Sequence, residues 1–209
     1  MENGSGGLAT ERLRPALGWA PGGLRFVQEL VNTALRAPAP EPGNRLADLL
    51  AEPGRAAGWL ERALALWAEA TGQPAPELHL AAEDLAPLRD VREAIRALAA
   101  GTGPGGFPPL EAGLTVAADP GGRMSYRPAA TGWRGVAGLA AAEILLAQHG
   151  TQWSRFKVCR LDACGAAFYD VSRNASRIWH DVGTCGNQAN LRAFRARQRG
   201  GGPGGPESG

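Results

Sequence analysis

The sequence has few cysteines: three in 209 residues, all between positions 159 and 185. An odd number confined to one short segment fits a secreted disulfide framework poorly. Long apolar runs are also missing. The longest, from Gly135 to Ala147, is broken by Glu143 and falls short of the ~20 residues a membrane span needs. The opening MENGSGGLATERLRP has no apolar core of the signal-peptide type. These absences predict a cytoplasmic protein with no membrane partner. Net charge is only +2, so the chain as a whole carries no strong field of one sign. There is no nucleophile elbow, P-loop or dinucleotide-binding glycine signature. The Gly-rich loops lack the flanking strand and lysine that phosphate binding needs. The expectation is that the protein is not an enzyme.

What is present is a helical body. Apolar residues make up 44% of the chain, enough for a core. The 30 Gly and 16 Pro cluster in loops, leaving periodic stretches between them. A loose N-terminus is expected over 1–19, followed by a helical body over 20–150. Leu24, Val27, Leu30 and Val31 have helical spacing, and the APAPEPG run at 37–43 breaks the chain after them. The clearest helix covers 54–71, with Trp59, Leu60, Ala63, Leu64 and Trp67 on one stripe and Gly72 at its end. A further helix over about 83–100 turns Leu85, Leu88, Val91, Ile95 and Leu98 inward, with Arg89, Arg92 and Arg96 on another face. Residues 101–109 form a loop. Leu114-Thr115-Val116 and Met124-Ser125-Tyr126, around the Asp119-Pro-Gly-Gly turn, suggest a short hairpin. The helix over 133–149 presents Val136, Leu139, Ala140, Ile144 and Ala147, with Glu143 outside the stripe. The fold class is mainly α with minor β, followed by a small module over 155–199 and a disordered Gly/Pro tail over 200–209.

The small module holds the strongest chemical signal. Four residues separate Cys159 from Cys164, fifteen separate Cys164 from His180, and four separate His180 from Cys185. Two close pairs joined by a longer insert give the layout of a structural Zn2+ site, because each short loop brings two donors to one point. Three thiolates and one neutral imidazole close the coordination shell and leave no position for a reacting water. Buried thiols with no metal are the plainer alternative. Phe168, Tyr169, Val171, Ile178 and Trp179 are expected to form a small core around the metal. A module of this size buries little, so the metal is expected to supply folding free energy.

The module is also where the charge lies. Residues 155–199 hold nine Lys or Arg against three Asp, leaving 13 basic and 17 acidic side chains elsewhere. After Cys185 a helix is expected over about 188–199, with Leu191 and Phe194 packed inward. Arg192, Arg195 and Arg199 share one face at spacings of three and four. Arg173 and Arg177 sit in an exposed turn. These five arginines are the candidate nucleic-acid contacts, since phosphate binding needs clustered cations. A solvated capping helix is the bland alternative.

From Cys159 to Arg199 the segment resembles the CGNR zinc finger. That family has a C-x4-C pair, an S-R-N-x-S-R run matched by Ser172 to Arg177, a Trp-Cys matched by Trp179-His180, and a C-G-N-R matched by Cys185-Gly186-Asn187-Gln188. His180 stands where the family has its third cysteine and keeps a zinc donor. Gln188 stands where the family has Arg and removes a charge beside the site. The preceding chain is similar to the ABATE domain of the same family in Phe26, Val31-Asn32-Thr33, the Trp59 helix and the segment Leu88 to Ile95. The resemblance implies a stress-induced transcription regulator.

The leading expectation is therefore a zinc-dependent, DNA-binding transcriptional regulator whose helical body senses a signal or forms a homodimer. The alternative is a zinc-stabilised protein-interaction module without direct DNA contact. Asn32, Arg89 and Arg92 lie beside apolar stripes and are candidates for a small anionic ligand. The plainer reading makes them surface arginines and a helix-capping Asn.

Overall fold

The computed structural model describes residues 18–35, 48–102 and 113–200. Most of the loose N-terminus, the Pro-rich break, most of the loop after residue 100 and the Gly/Pro tail lie outside the described residues. Among the described residues there are five α-helices and two small sheets. They are α1 (Leu24–Val31), α2 (Pro53–Thr71), α3 (Leu85–Ala100), β1 (Leu114–Ala118), β2 (Met124–Pro128), α4 (Gly132–His149), β3 (Phe156–Val158), β4 (Ala167–Tyr169) and α5 (Asn187–Gly200). None of the described helices is long and apolar enough to cross a membrane.

The body is organised around α1. This helix is short, but seven of its eight residues are buried, because α2, α3, α4 and β4 surround it. α2 contributes the expected stripe, with Ala56 added to Trp59, Leu60, Ala63, Leu64 and Trp67. Pro53 opens it, where a missing N–H costs nothing, and Gly72 closes it in the left-handed conformation. Leu85, Leu88, Val91 and Ile95 of α3 and Val136, Leu139, Ala140, Ile144 and Ala147 of α4 complete the core. Burying a side chain of this kind stabilises the fold by about 1.5–3 kcal/mol. β1 and β2 pair antiparallel, with Val116 opposite Tyr126, and Gly122 allows their turn.

Glu143 departs from the sequence expectation. Its side chain is not outside the apolar stripe but buried, at 4% exposure. Trp67 Nε1 donates to its Oε1 at 2.5 Å, and the Tyr126 hydroxyl donates to the same oxygen. Its carboxylate also fills the space where a Cβ on Gly23 would lie, 2.0 Å away, so a side chain at that position would push the carboxylate off its two donors. Periodicity places a polar residue outside by default; here α2 and β2 supply the two donors that make burial tolerable. Burial pushes the Glu143 carboxyl up, against the two hydrogen bonds. The Tyr126 hydroxyl is also pushed up, by burial first and by Glu143 second.

The core does not end with α4. Phe156 of β3 and Ala167 of β4 belong to the same apolar cluster as α1 to α4, and Tyr169 and Trp153 pack against it. The Trp153 and Phe156 rings stack 5.2 Å apart. The hairpin that begins the C-terminal module is thus built onto the body, against α3 on one side and α1 on the other.

Candidate metal centre

β3 and β4 pair antiparallel with Val158 opposite Ala167, which sets Cys159 at the mouth of a tight loop. Cys159 N–H donates to Ala166 O at 2.9 Å, and Cys164 N–H donates to Leu161 O at 2.7 Å. Gly165 follows in the left-handed region at φ +65, which turns the chain back beneath Cys164. The second pair stands on another turn. Asp181 O accepts from Cys185 N–H at 2.9 Å and from Gly186 N–H at 3.2 Å, a wide π turn over Val182–Gly186. Asp181 Oδ1 accepts from Gly183 N–H at 2.8 Å, and Asn187 Nδ2 donates to Gly183 O at 2.8 Å. Arg160 N–H donates to Ile178 O at 3.0 Å and ties the two halves together.

The two turns bring Cys159, Cys164, His180 and Cys185 together, all buried, with their donor atoms within 4.8 Å of one another. His180 Nδ1 lies 3.3 Å from Cys164 Sγ and 3.4 Å from Cys185 Sγ. A tetrahedral zinc with bonds of about 2.3 Å to sulfur and 2.0 Å to nitrogen spaces S and N by roughly 3.5 Å. The three cysteines are free, not joined as disulfides. The donor set and spacing therefore fit a closed Cys3His metal site. Without a cation, the thiols compete for protons. The hydrogen bond from Cys164 lowers the Cys159 thiol from its ordinary value, against burial. The same bond, with burial, pushes Cys164 up, while burial and then the Cys159 charge push Cys185 up. A bound cation satisfies all three as thiolates at once, which is why such sites couple metal binding to proton release.

The side chains around the Cys3His cluster differ from the expected core. Phe168 is fully buried and Trp179 packs beside the cysteines with Leu161, Ala163, Ala166, Ala189 and Leu35. Tyr169 instead packs on the body core, and Val171 and Ile178 are exposed. The reason is geometric: with only three residues, β4 presents alternate side chains to two neighbours, and the turn after it carries Val171 outward.

Two residues that sequence reasoning passed over hold this region. Asp170 is fully buried. It accepts from Lys157 Nζ at 2.8 Å, Ser172 Oγ at 2.6 Å, Ser172 N–H at 3.0 Å and Arg177 N–H at 2.8 Å. Lys157 also donates to the carbonyls of Ala175 and Arg177, and Ala175 takes a left-handed φ of 46. The Asp-x-Ser spacing was a usable turn signal. Burial opposes the charge on Asp170, but Lys157, Ser172 and Arg177 together hold its carboxyl below the usual range. A depressed carboxyl stabilises the fold fully above its unfolded value, near 4, and loses that contribution as pH falls further. Asp170→Asn is expected to lower stability by about 3 kcal/mol at pH 7 and to flatten the acid limb of the stability profile. Urea melts of both proteins between pH 7 and pH 3 check this; a parallel pair of profiles would contradict it.

Arg96 is the second, buried at 3% exposure. Its Nη2 donates to Val31 O at 2.6 Å and Ala34 O at 2.7 Å, and its Nε donates to Gly165 O at 3.1 Å. Nη1 pairs with Glu93. One side chain of α3 thus joins the end of α1 to the residue after Cys164. Its position one turn beyond Arg92 was visible; its burial was not.

The candidate ligand residues are also used internally. The Asn32 amide clasps the Ala167 peptide, donating to its oxygen at 2.9 Å and accepting from its N–H at 2.8 Å. Arg92 is buried, not on the surface, and its Nη1 meets Asp48 at 2.7 Å and Thr33 at 3.0 Å. Arg89 Nη1 donates to Leu50 O at 3.2 Å. These groups link α1, α3 and β4.

The basic residues divide in two. Arg173 is exposed. Arg177 is half-buried, with its guanidinium over the Phe168 ring and Nη2 donating to His180 O, so it braces the turn that delivers His180. Arg192, Arg195, Arg197 and Arg199 are all exposed on α5. Leu191 and Phe194 are exposed too, at 48% and 50%, and do not pack inward as expected. The principal neighbour of α5 among the described residues is the π turn at its root, and both side chains stand exposed beyond it.

Comparison with known families agrees with this architecture. The model of the CGNR zinc finger matches residues 155–198. The ABATE model, described as Putative stress-induced transcription regulator, matches residues 24–172, well over half of the chain. The chain belongs to this family. The ABATE and CGNR matches overlap over residues 155–172, the hairpin that the structure shares between body core and metal centre. Both are of regulator or zinc-finger type, not enzyme families. No curated protein matches the chain.

Proposed function

We propose that this ABATE protein is a zinc-dependent, DNA-binding transcriptional regulator in which α5 makes the DNA contact. The observation that carries the reading is α5 itself. Four arginines stand exposed on it, it contains no acidic residue, and it is rooted at the ligand Cys185. A helix whose charged side chains are all positive is suited to a polyanion, and guanidinium groups pair with phosphate in a fixed fork. Zn2+ would be held by Cys159, Cys164, His180 and Cys185, and would serve to fix the π turn from which α5 leaves. Arg173 is a further phosphate contact, while Arg177 positions the turn.

Arg192→Ala and Arg195→Ala are each expected to weaken binding to any duplex by about three- to tenfold at low salt, and to reduce the salt slope by about 1. Fluorescence anisotropy on zinc-loaded protein measures both. Unchanged affinity in the double variant would remove α5 from the DNA surface. A protein-interaction module is the second reading, favoured by exposed Leu191 and Phe194. A partner captured through the finger and retained after nuclease treatment would support it.

A further inference from the structure

The apolar pair on α5 stands exposed, and its neighbours on the helix surface are informative. At about 100° per residue, Gln188, Leu191, Phe194, Arg195 and Gln198 fall within one face. All five are exposed. Arg192 and Arg199 flank this face on one side and Arg197 flanks it on the other. The helix thus has Leu191, Gln198 and Phe194 at the centre of this face, Arg195 beside Gln188 toward one edge, further guanidinium groups along both edges, and no acidic residue. A second copy of so uniformly cationic a helix would be repelled, and an apolar protein groove would leave the flanking arginines unpaired. Charge complementarity calls for a partner with two anionic rails and a neutral floor. The DNA major groove, about 12 Å wide, admits an α-helix and has that form.

We infer that α5 reads base edges in the major groove of duplex DNA, and that its central face selects A·T pairs. The inference rests on the DNA-binding reading above. Gln188 and Gln198 each carry an amide that can meet adenine N6 and N7 together. Leu191 and Phe194 offer apolar surface to the thymine C5-methyl group. Arg192, Arg195 and Arg199 on one side and Arg197 on the other reach the phosphates, which position the helix without reading sequence. Gln188 then places an adenine-reading amide at the helix root. Asn187 is not part of the face, since its amide is spent on Gly183 O.

The test uses the zinc-loaded full chain and three 20-base-pair duplexes: one of A·T pairs in mixed order, the same duplex with deoxyuridine for thymidine, and one of G·C pairs. Anisotropy at fixed salt is expected to favour the A·T duplex over the G·C duplex by about tenfold. Removing the thymine methyls is expected to cost about three- to fourfold per contacted methyl. Leu191→Ala and Phe194→Ala should each lose part of the thymidine-over-deoxyuridine preference. Arg192→Gln should weaken all three duplexes alike and leave their ratios unchanged. Leu191 and Phe194 are exposed, so both variants keep the fold, and their zinc content checks this. Equal affinity for all three duplexes would overturn the base-reading role while leaving DNA binding intact. Equal affinity for the thymidine and deoxyuridine duplexes, with G·C still disfavoured, would overturn the methyl contacts given to Leu191 and Phe194. No binding to any duplex at low salt would remove the underlying reading as well.

Discussion

Protein carrying Cys164→Ser is expected to purify without its metal. Cys164 is buried and its sulfur lies 3.3 Å from His180 Nδ1, so it cannot be spared without opening the shell. Zinc affinity should fall by well over ~100-fold, beyond the loss caused by an outer-shell change. Folding of the module falls with it, because apparent binding free energies of about 10–16 kcal/mol for structural zinc are folding free energy in small modules. The parent protein should hold one zinc per chain. Its X-ray absorption should show three sulfurs at about 2.3 Å and one nitrogen at about 2.0 Å. His180→Cys should retain the metal, because it exchanges one donor for another. His180→Ala should admit an oxygen ligand in place of nitrogen. Full zinc occupancy in Cys164→Ser would show that the cluster is not the metal site.

Arg96→Met is expected to be the most damaging substitution in the body. It leaves the carbonyls of Val31, Ala34 and Gly165 without this donor and removes one of the two guanidinium groups that meet Glu93, the other being that of Arg92. Removing one member of a buried charged network costs about 3–5 kcal/mol. For a chain of this size that lowers Tm by on the order of 10 °C. Arg96→Lys should rescue little, since an ammonium cannot span three carbonyls as the guanidinium fork does. A second readout separates this from a general loss of packing: because Gly165 follows Cys164, zinc should leave Arg96→Met faster when a chelator is added. Core truncation at Leu139, far from that carbonyl in the chain, should lower Tm without the same gain in release rate. A Tm within ~2 °C of the parent would contradict the role given to Arg96.

The helices and the convergence of Cys159, Cys164, His180 and Cys185 were legible in the sequence, because each depends on spacing. Trp59 to Trp67 repeats at the helical period, and two x4 loops fix where donors converge. Buried polarity was not legible. Glu143, Asp170, Arg92 and Arg96 each contradict the rule that charged groups face water, and each is buried because a distant segment supplies its partners. Trp67 and Tyr126 meet Glu143, and Lys157 meets Asp170, from positions no local pattern could foresee. The opposite error occurred on α5. Leu191 and Phe194 have the spacing of an inward stripe, but periodicity cannot tell whether a surface exists to receive it. Where none does, exposed apolar groups point to a partner.

The central claim is that metal at Cys159, Cys164, His180 and Cys185 fixes a basic helix for contact with DNA. Its most direct test is duplex binding over a salt series, by anisotropy, on zinc-loaded and chelated protein in parallel. The zinc-loaded chain should bind at low salt, with an affinity that falls steeply as salt rises, the slope counting the phosphates neutralised. The chelated chain should lose that binding. Equal binding by both forms would separate DNA contact from the metal, and absence of binding by either would contradict the account.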